Sequence, residues 1–193
     1  MTQFLTPALL AEAVLDTPEA GFTALGGLAS GPAARTSDGA ALRVLDIVTG
    51  RVASALTNTT TTLADMTGLG LPVVAGGVYV FEFSGTYSSS ATGCYIAAAI
   101  NGPSLGASGV IVNHHLHVGV GADTWHNGCT NAFAATNTPA YVIAANTATP
   151  WRLDGSVEVG ASGGLLVPQF ARDSGAGTIT IQAGAWGWLL RIA

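Results

Sequence analysis

The sequence predicts an all-β fold, an antiparallel two-sheet sandwich over residues 51–193, preceded by a short helical or irregular segment over residues 1–50. Three observations predict it. From about Gly50 onward, short runs rich in Val, Ile, Thr and aromatic residues are separated by Gly, Pro, Asn and Ser at regular intervals. Within those runs large side chains alternate with smaller or polar ones, most clearly in Val78-Tyr79-Val80-Phe81-Glu82-Phe83. No internal repeat is evident, which excludes a solenoid or propeller. At 193 residues the chain is long enough for one well-cored domain and short for two.

The elements follow in order. Residues 7–15 read as a short helix, with Thr6 as N-cap, Pro7 at the first helical position, an apolar stripe of Leu9, Leu10, Ala13 and Val14, and Pro18 as the stop. Residues 21–39 are Gly-, Ala- and Ser-rich and read as loop. Residues 40–48 fit a helix or a strand equally well. Strands are expected at residues 52–57, 60–66, 78–83, 94–100, 109–118, 140–145, 152–159, 165–171, 178–182 and 186–192. The connections between them are marked by Pro72, Gly76-Gly77, Asn101-Gly102-Pro103, Asn137-Thr138-Pro139 and the glycines between 160 and 164.

Charge is the anomaly. Asp, Glu, Lys and Arg make up 9% of the chain, against about 25% in ordinary soluble domains. There are six basic residues, all arginine, and eleven acids, for a formal net charge of -5. A nucleic-acid binder of the usual electrostatic kind needs a basic stripe and is excluded. A hydrophobic content of 49% excludes a disordered acidic tail. Mean hydropathy is +0.47, yet the uncharged stretch 83–122 is interrupted by Ser88-Ser89-Ser90, Asn101-Gly102-Pro103 and a cluster of Asn and His. No apolar window of about 20 residues survives, so no membrane-inserted helix is expected. The amino terminus has no basic n-region and carries Glu12 and Asp16 in its apolar stretch, unlike a secretory leader, so synthesis in the cytoplasm of the producing cell is expected. With so few ionic groups, much of the outer sheet surface is expected to meet another protein. Cys94 and Cys129 belong to no CxxC pair and read as small core-filling residues, with a single bridge between them as the alternative.

Four pieces of sequence carry a family resemblance. They are Thr67-Gly68-Leu69-Gly70-Leu71-Pro72-Val73 running through Ala75-Gly76 into the strand at 78–83; Ala97-Ala98-Ala99-Ile100-Asn101-Gly102-Pro103; Leu153-Asp154-Gly155-Ser156-Val157-Glu158-Val159; and the stretch from Thr178 to Ile192 with Ala183-Gly184 and Trp186-Gly187-Trp188. In order and spacing, residues 51–191 resemble the small jelly-roll, tumour-necrosis-factor-like β-sandwich of tailed-bacteriophage head-fibre, decoration and tail-fibre proteins. The resemblance implies a jelly roll and a virion structural role. It also implies a homotrimer docked on capsid or tail proteins through its amino-terminal segment. Residues 1–50 have no counterpart in it; their apolar side chains Phe4, Leu5, Leu9, Leu10 and Phe22 are the candidates for particle attachment.

Residues that could carry chemistry are few. His115 and His117 share one strand face, with His114 on the other, and two imidazoles on one face can hold a structural metal, multiplied by a threefold axis. A cupin-like metal enzyme would need an acid a few residues further on, where the chain has Val118-Gly119-Val120-Gly121. The plainer reading is polar surface or interface residues, with no cofactor. Trp125, His126 and Asn127, in an expected loop, are the candidate glycan or receptor contact. Trp186 and Trp188 share one face of the closing strand and read as core or subunit-seam residues. No G-x-S-x-G elbow, phosphate loop or dinucleotide fingerprint is present. Glu82, Asp154 and Glu158 read as turn caps or solvent-facing groups rather than a hydrolytic pair. No enzymatic activity is expected.

Overall fold

The computed structural model describes residues 24–28, 31–35, 41–43, 47–117, 125–137, 144–173 and 176–193, with side chains described from residue 47 onward. The chain divides into two compact units, Met1–Asp46 and Ile47–Ala193. In the first, β1 (Ala24–Leu28), β2 (Gly31–Arg35) and β3 (Ala41–Arg43) form an antiparallel meander in which Ala24 lies opposite Arg35 and Ala33 opposite Arg43. Residues 24–28 and 31–35, read from sequence as loop, are thus strands. Sheet hydrogen bonds belong to the backbone, so Gly- and Ala-rich stretches can pair without the large side chains that advertise a strand. The ambiguous stretch 40–48 supplies β3 and the start of another strand. The expected helix at 7–15, and with it Phe4, Leu5, Leu9, Leu10 and Phe22, lies outside the described residues.

The second unit is an all-β, two-sheet antiparallel sandwich. Its strands are β4 (Ile47–Arg51), β5 (Leu56–Asn58), β6 (Ala64–Asp65), β7 (Leu71–Val73), β8 (Val78–Ser89), β9 (Ile96–Asn101), β10 (Leu105–His117), β11 (Trp125–Thr130), β12 (Thr149–Val159), β13 (Gly164–Arg172), β14 (Ile179–Ile181) and β15 (Trp186–Arg191). The large sheet runs β11-β10-β12-β8-β14-β5, with β15 inserted between β8 and β4. The long strand β8 therefore has two partners along one edge: β15 covers Tyr79 to Ser84, and β14 covers Tyr87 to Ser89. The small sheet centres on β13, with β9 on one side and β6 and β7 in succession on the other.

The core lies between the sheets. Alternation in β8 sends Tyr79, Phe81, Phe83 and Tyr87 inward, beside Val112 and Leu116 of β10 and Trp151 and Leu153 of β12. Facing them are Ile96, Ala98 and Ile100 of β9 and Leu166 and Phe170 of β13. Cys94 is buried in this layer, but Cys129 is exposed on β11; both are free thiols, so the second cysteine is not a core residue and no bridge joins the two.

Turns fall where the glycines place them. Gly76 (φ 69°) turns β7 into β8, with Gly77 N–H donating to the Val74 carbonyl at 3.2 Å, and Gly184 (φ 92°) turns β14 into β15. Four expectations shift. Of residues 52–57 only Leu56 and Thr57 are strand, in β5. Leu71–Val73, marked from sequence as a turn by Pro72, is a strand. Its Pro72 lies opposite Leu165 at a sheet edge, where a missing N–H is tolerated. Of residues 60–66 only Ala64 and Asp65 pair, because Asn58 organises the threonines into a turn. Its Oδ1 accepts from the Thr60 N–H at 2.8 Å, while its Nδ2 donates to the carbonyls of Thr62 and Phe170, both at 2.9 Å. Of the strand expected at 140–145, residues 144 and 145 belong to no strand, and the rest lies outside the described residues.

Candidate functional site

The outer face of the large sheet brings Glu82, Arg152 and Asp154 together with His115. Strand alternation turns Asn113, His115 and His117 of β10 outward, opposite to His114. The segment carrying Trp125, His126 and Asn127 is not a loop. It is β11, paired with β10 so that Trp125 lies across from His117, and Asn127 across from His115. The alternating signal there is weak, because Trp, Asn and Cys alternate with His, Gly and Thr, and no aliphatic run marks the strand.

Pairing puts Trp125 and Asn127 on the outer face and His126 on the other side, so the three candidate glycan contacts do not converge. His126 Nε2 instead meets Asn137 Oδ1 at 2.8 Å. Trp125 is 45% exposed, and its ring meets that of His117 edge-on, with centroids 5.4 Å apart.

Next to this aromatic pair runs a chain of polar contacts across four strands. His115 Nδ1 lies 2.8 Å from Asn127 Oδ1, and its Nε2 lies 3.0 Å from Asp154 Oδ1 on β12. Asn113 Nδ2 donates to Asp154 Oδ2 at 3.2 Å, and Arg152 Nε donates to Asp154 Oδ1 at 3.0 Å. Arg152 also reaches Glu82 Oε2 on β8 at 3.4 Å. Register explains the convergence: Asp154 stands directly between Asn113 on one neighbour and Glu82 on the other. Glu158, further along β12, is held below the usual carboxyl pKa by hydrogen bonds from the Ser108 side chain and then from the Ser108 N–H at 2.7 Å.

The two histidines proposed as metal ligands are thus held apart in their contacts. Both ring nitrogens of His115 face Asn127 and Asp154, while His117 packs on Trp125. Among the described residues no group of three or more His, Cys, Asp or Glu is arranged to hold a metal ion.

His114 is the opposite case. It is fully buried, with Nε2 3.0 Å from Thr130 Oγ1 and Nδ1 without a partner among the described residues. Burial, followed by the nearby His115 and His126, lowers its pKa from 6.5 to about 4. Strand alternation separates His114 from His115 and His117, and its face is the one that meets the core.

A second outward feature lies at the β4–β15 end. Trp186 (43% exposed) and Trp188 (half-buried) stand on β15 opposite Arg51 and Thr49 of β4, with Ile47 one step on. They line a shallow open groove of about 620 Å³. Neither tryptophan is core: the buried one is Trp151 on β12. Beneath the groove, Gly50 and Gly187 sit opposite each other; a Cβ on Gly187 would overlap the Phe83 ring, so the two strands lie tight on the core.

The fold and these faces define an antiparallel β-sandwich with a mixed aromatic and polar outer sheet. No protein-family model matches the chain, and no curated protein matches it in sequence. Among solved structures it is similar to the VP2 protein of infectious bursal disease virus. The D431N mutant in derived T=1 particles is 10% identical with a TM-score of 0.27, covering 87% of this chain and 40% of that one. The Gt strain structure is 13% identical with a TM-score of 0.25, covering 87% and 41%. The VP2 subviral particle is 8% identical with a TM-score of 0.27, covering 87% and 45%. The chain spans less than half the length of these proteins, and at such scores neither fold identity nor function passes from them to it.

Proposed function

We propose that the protein is a non-enzymatic virion structural protein of a tailed bacteriophage, a head-fibre, decoration or tail-fibre component. Its sandwich assembles as a homotrimer, and its amino-terminal segment, with Phe4, Leu5, Leu9, Leu10 and Phe22, docks on capsid or tail proteins. One observation carries the reading. The sandwich surface holds large apolar side chains where a solitary soluble domain would have ions: Ile47 and Ile192 are each 53% exposed and Leu165 56%, joined by Val74, Ile111, Trp125 and Trp186. Residues 47–193 contain only ten charged side chains to offset them. Surfaces of this composition are shielded by sister copies in a cyclic assembly, which buries the same patch on every subunit. The resemblance in sequence to trimeric phage domains points the same way.

The test is a truncation, placed by the structure. Cutting at Arg51 would remove β4, which pairs with Trp186 to Leu190, so the cut belongs before Ile47. The shortened protein should remain soluble and trimeric by light scattering and lose attachment to particles. A monodisperse monomer defeats the assembly half of the reading, and retained attachment defeats the assignment of residues 1–46.

A second reading, a receptor- or glycan-binding tip, is favoured by the exposed Trp125 beside the His115–Asp154 network. Under it, Trp125→Ala abolishes host adsorption and leaves assembly intact.

A further inference from the structure

The groove between β4 and β15 lies on the same face of the large sheet as Trp125, across β12 and β8 from it, and shares Ile47 and Trp186 with the apolar surface described above, so the inference rests on sister copies leaving this end of the sheet open. We propose that the groove binds a carboxylated sugar, of uronic or sialic acid type. It is lined by the apolar side chains of Ile47, Trp186 and Trp188, by Gly50 and Gly187, and by the polar Thr49 and Arg51. At about 620 Å³ it is of ordinary small-ligand size, mostly apolar with a few polar groups to fix orientation. An indole offers a flat apolar face, which suits the C–H face of a pyranose whose hydroxyls stay at the polar edge.

The acid function is specified by Arg51. Among the described residues no carboxylate lies within ion-pair distance of it, whereas Arg152 is held by Glu82 and Asp154. In a chain with eleven acids and six arginines, an exposed guanidinium left unpaired beside two tryptophans is positioned for an incoming carboxylate, which it can grip through two parallel hydrogen bonds. A membrane surface is a poorer match, because a single arginine does not make a basic rim.

The experiment titrates the full-length protein with trigalacturonate and with sialyllactose, following intrinsic tryptophan fluorescence. The methyl ester of trigalacturonate and unsialylated lactose serve as neutral partners. The expected result is saturable binding of at least one acid sugar and loss of about tenfold in affinity for its neutral form. Arg51→Gln should lose the same factor for the acid and nothing for the neutral sugar; Trp188→Ala should weaken both. Far-UV circular dichroism of each variant separates lost binding from lost folding, and Arg51→Lys, which keeps the charge without the fork, should recover part of the loss. No saturable binding of either acid, or equal affinity for acid and neutral forms, overturns the proposal. So does a groove already covered by a second copy, read as Trp186 and Trp188 shielded from acrylamide in the assembled protein. Light scattering on the same samples keeps this separate from assembly: a trimer that binds no sugar defeats only the groove.

Discussion

The two faces of the large sheet are made by the same strands and obey different rules. Inward, Phe81, Phe83, Val112, Leu116, Trp151 and Leu153 are fully or almost fully buried and are held by volume. Outward, one residue along, Glu82, Asn113, His115, Arg152 and Asp154 are held by pairing, each with at least one polar partner on the same or a neighbouring strand. The small sheet lacks this division. Ile96 to Ile100 of β9 and Leu166 to Ala171 of β13 are buried on both faces, with Ala97, Ala99 and Ala171 filling the side away from the core. On the large sheet the network around Asp154 lies on the outward face, whereas the inward His114 meets only Thr130.

The contrast can be broken at its strongest point first. A Cβ on Gly155 would overlap the Ile111 carbonyl oxygen across the β10–β12 ladder, and Phe83→Ala would empty a fully buried ring site. Each should cost about 3 kcal/mol or more in urea unfolding. Protonation of His114 comes next. Its folded pKa, about 4, lies below its ordinary 6.5; the unfolded chain therefore binds the proton more readily. Its contribution to stability is complete above pH 6.5 and is lost as pH falls toward 4, up to about 3 kcal/mol in all. His114→Gln should flatten that part of the pH–stability curve, and an unchanged slope would show that His114 is not the group responsible. The smallest effect belongs to the outer face. Asp154→Ala removes the acceptor shared by His115, Asn113 and Arg152, yet the groups left behind can turn to water, so the loss should stay near or below about 1 kcal/mol. A loss as large as that of Phe83→Ala would mean that the outer face is a structural layer and not a free surface.

How far these rules can be read from sequence differs in the same way. The inner face was legible: alternation in Val78 to Phe83 places the aromatics inward and Glu82 outward, as observed, and the glycine and proline signals mark most of the connections. The outer face was not. Which polar residues meet depends on inter-strand register, and nothing local to Asp154 announces Asn113 forty-one positions earlier. β11 was hidden because it has no aliphatic side chain to reveal its period, so His126 was grouped with neighbours that point the other way. Trp186 and Trp188 were read as core or subunit-seam residues because aromatic bulk ordinarily implies burial; the core half fails, since β15 spends its inward positions on Gly187 and Leu189.

The place of β15 has a consequence for the order of manufacture. It lies between β4 and β8, with Trp186 touching Arg51 on one side and Ser84 on the other. A ribosome releases both neighbours long before the strand that joins them. Until residue 191 has emerged, β4 has no partner in its own sheet and one edge of β8 stays open, so the nascent chain carries two unsatisfied edges through most of its synthesis. Closing them is a long-range event, slow in folding terms, and it is the interval in which neighbouring nascent copies are most exposed to one another.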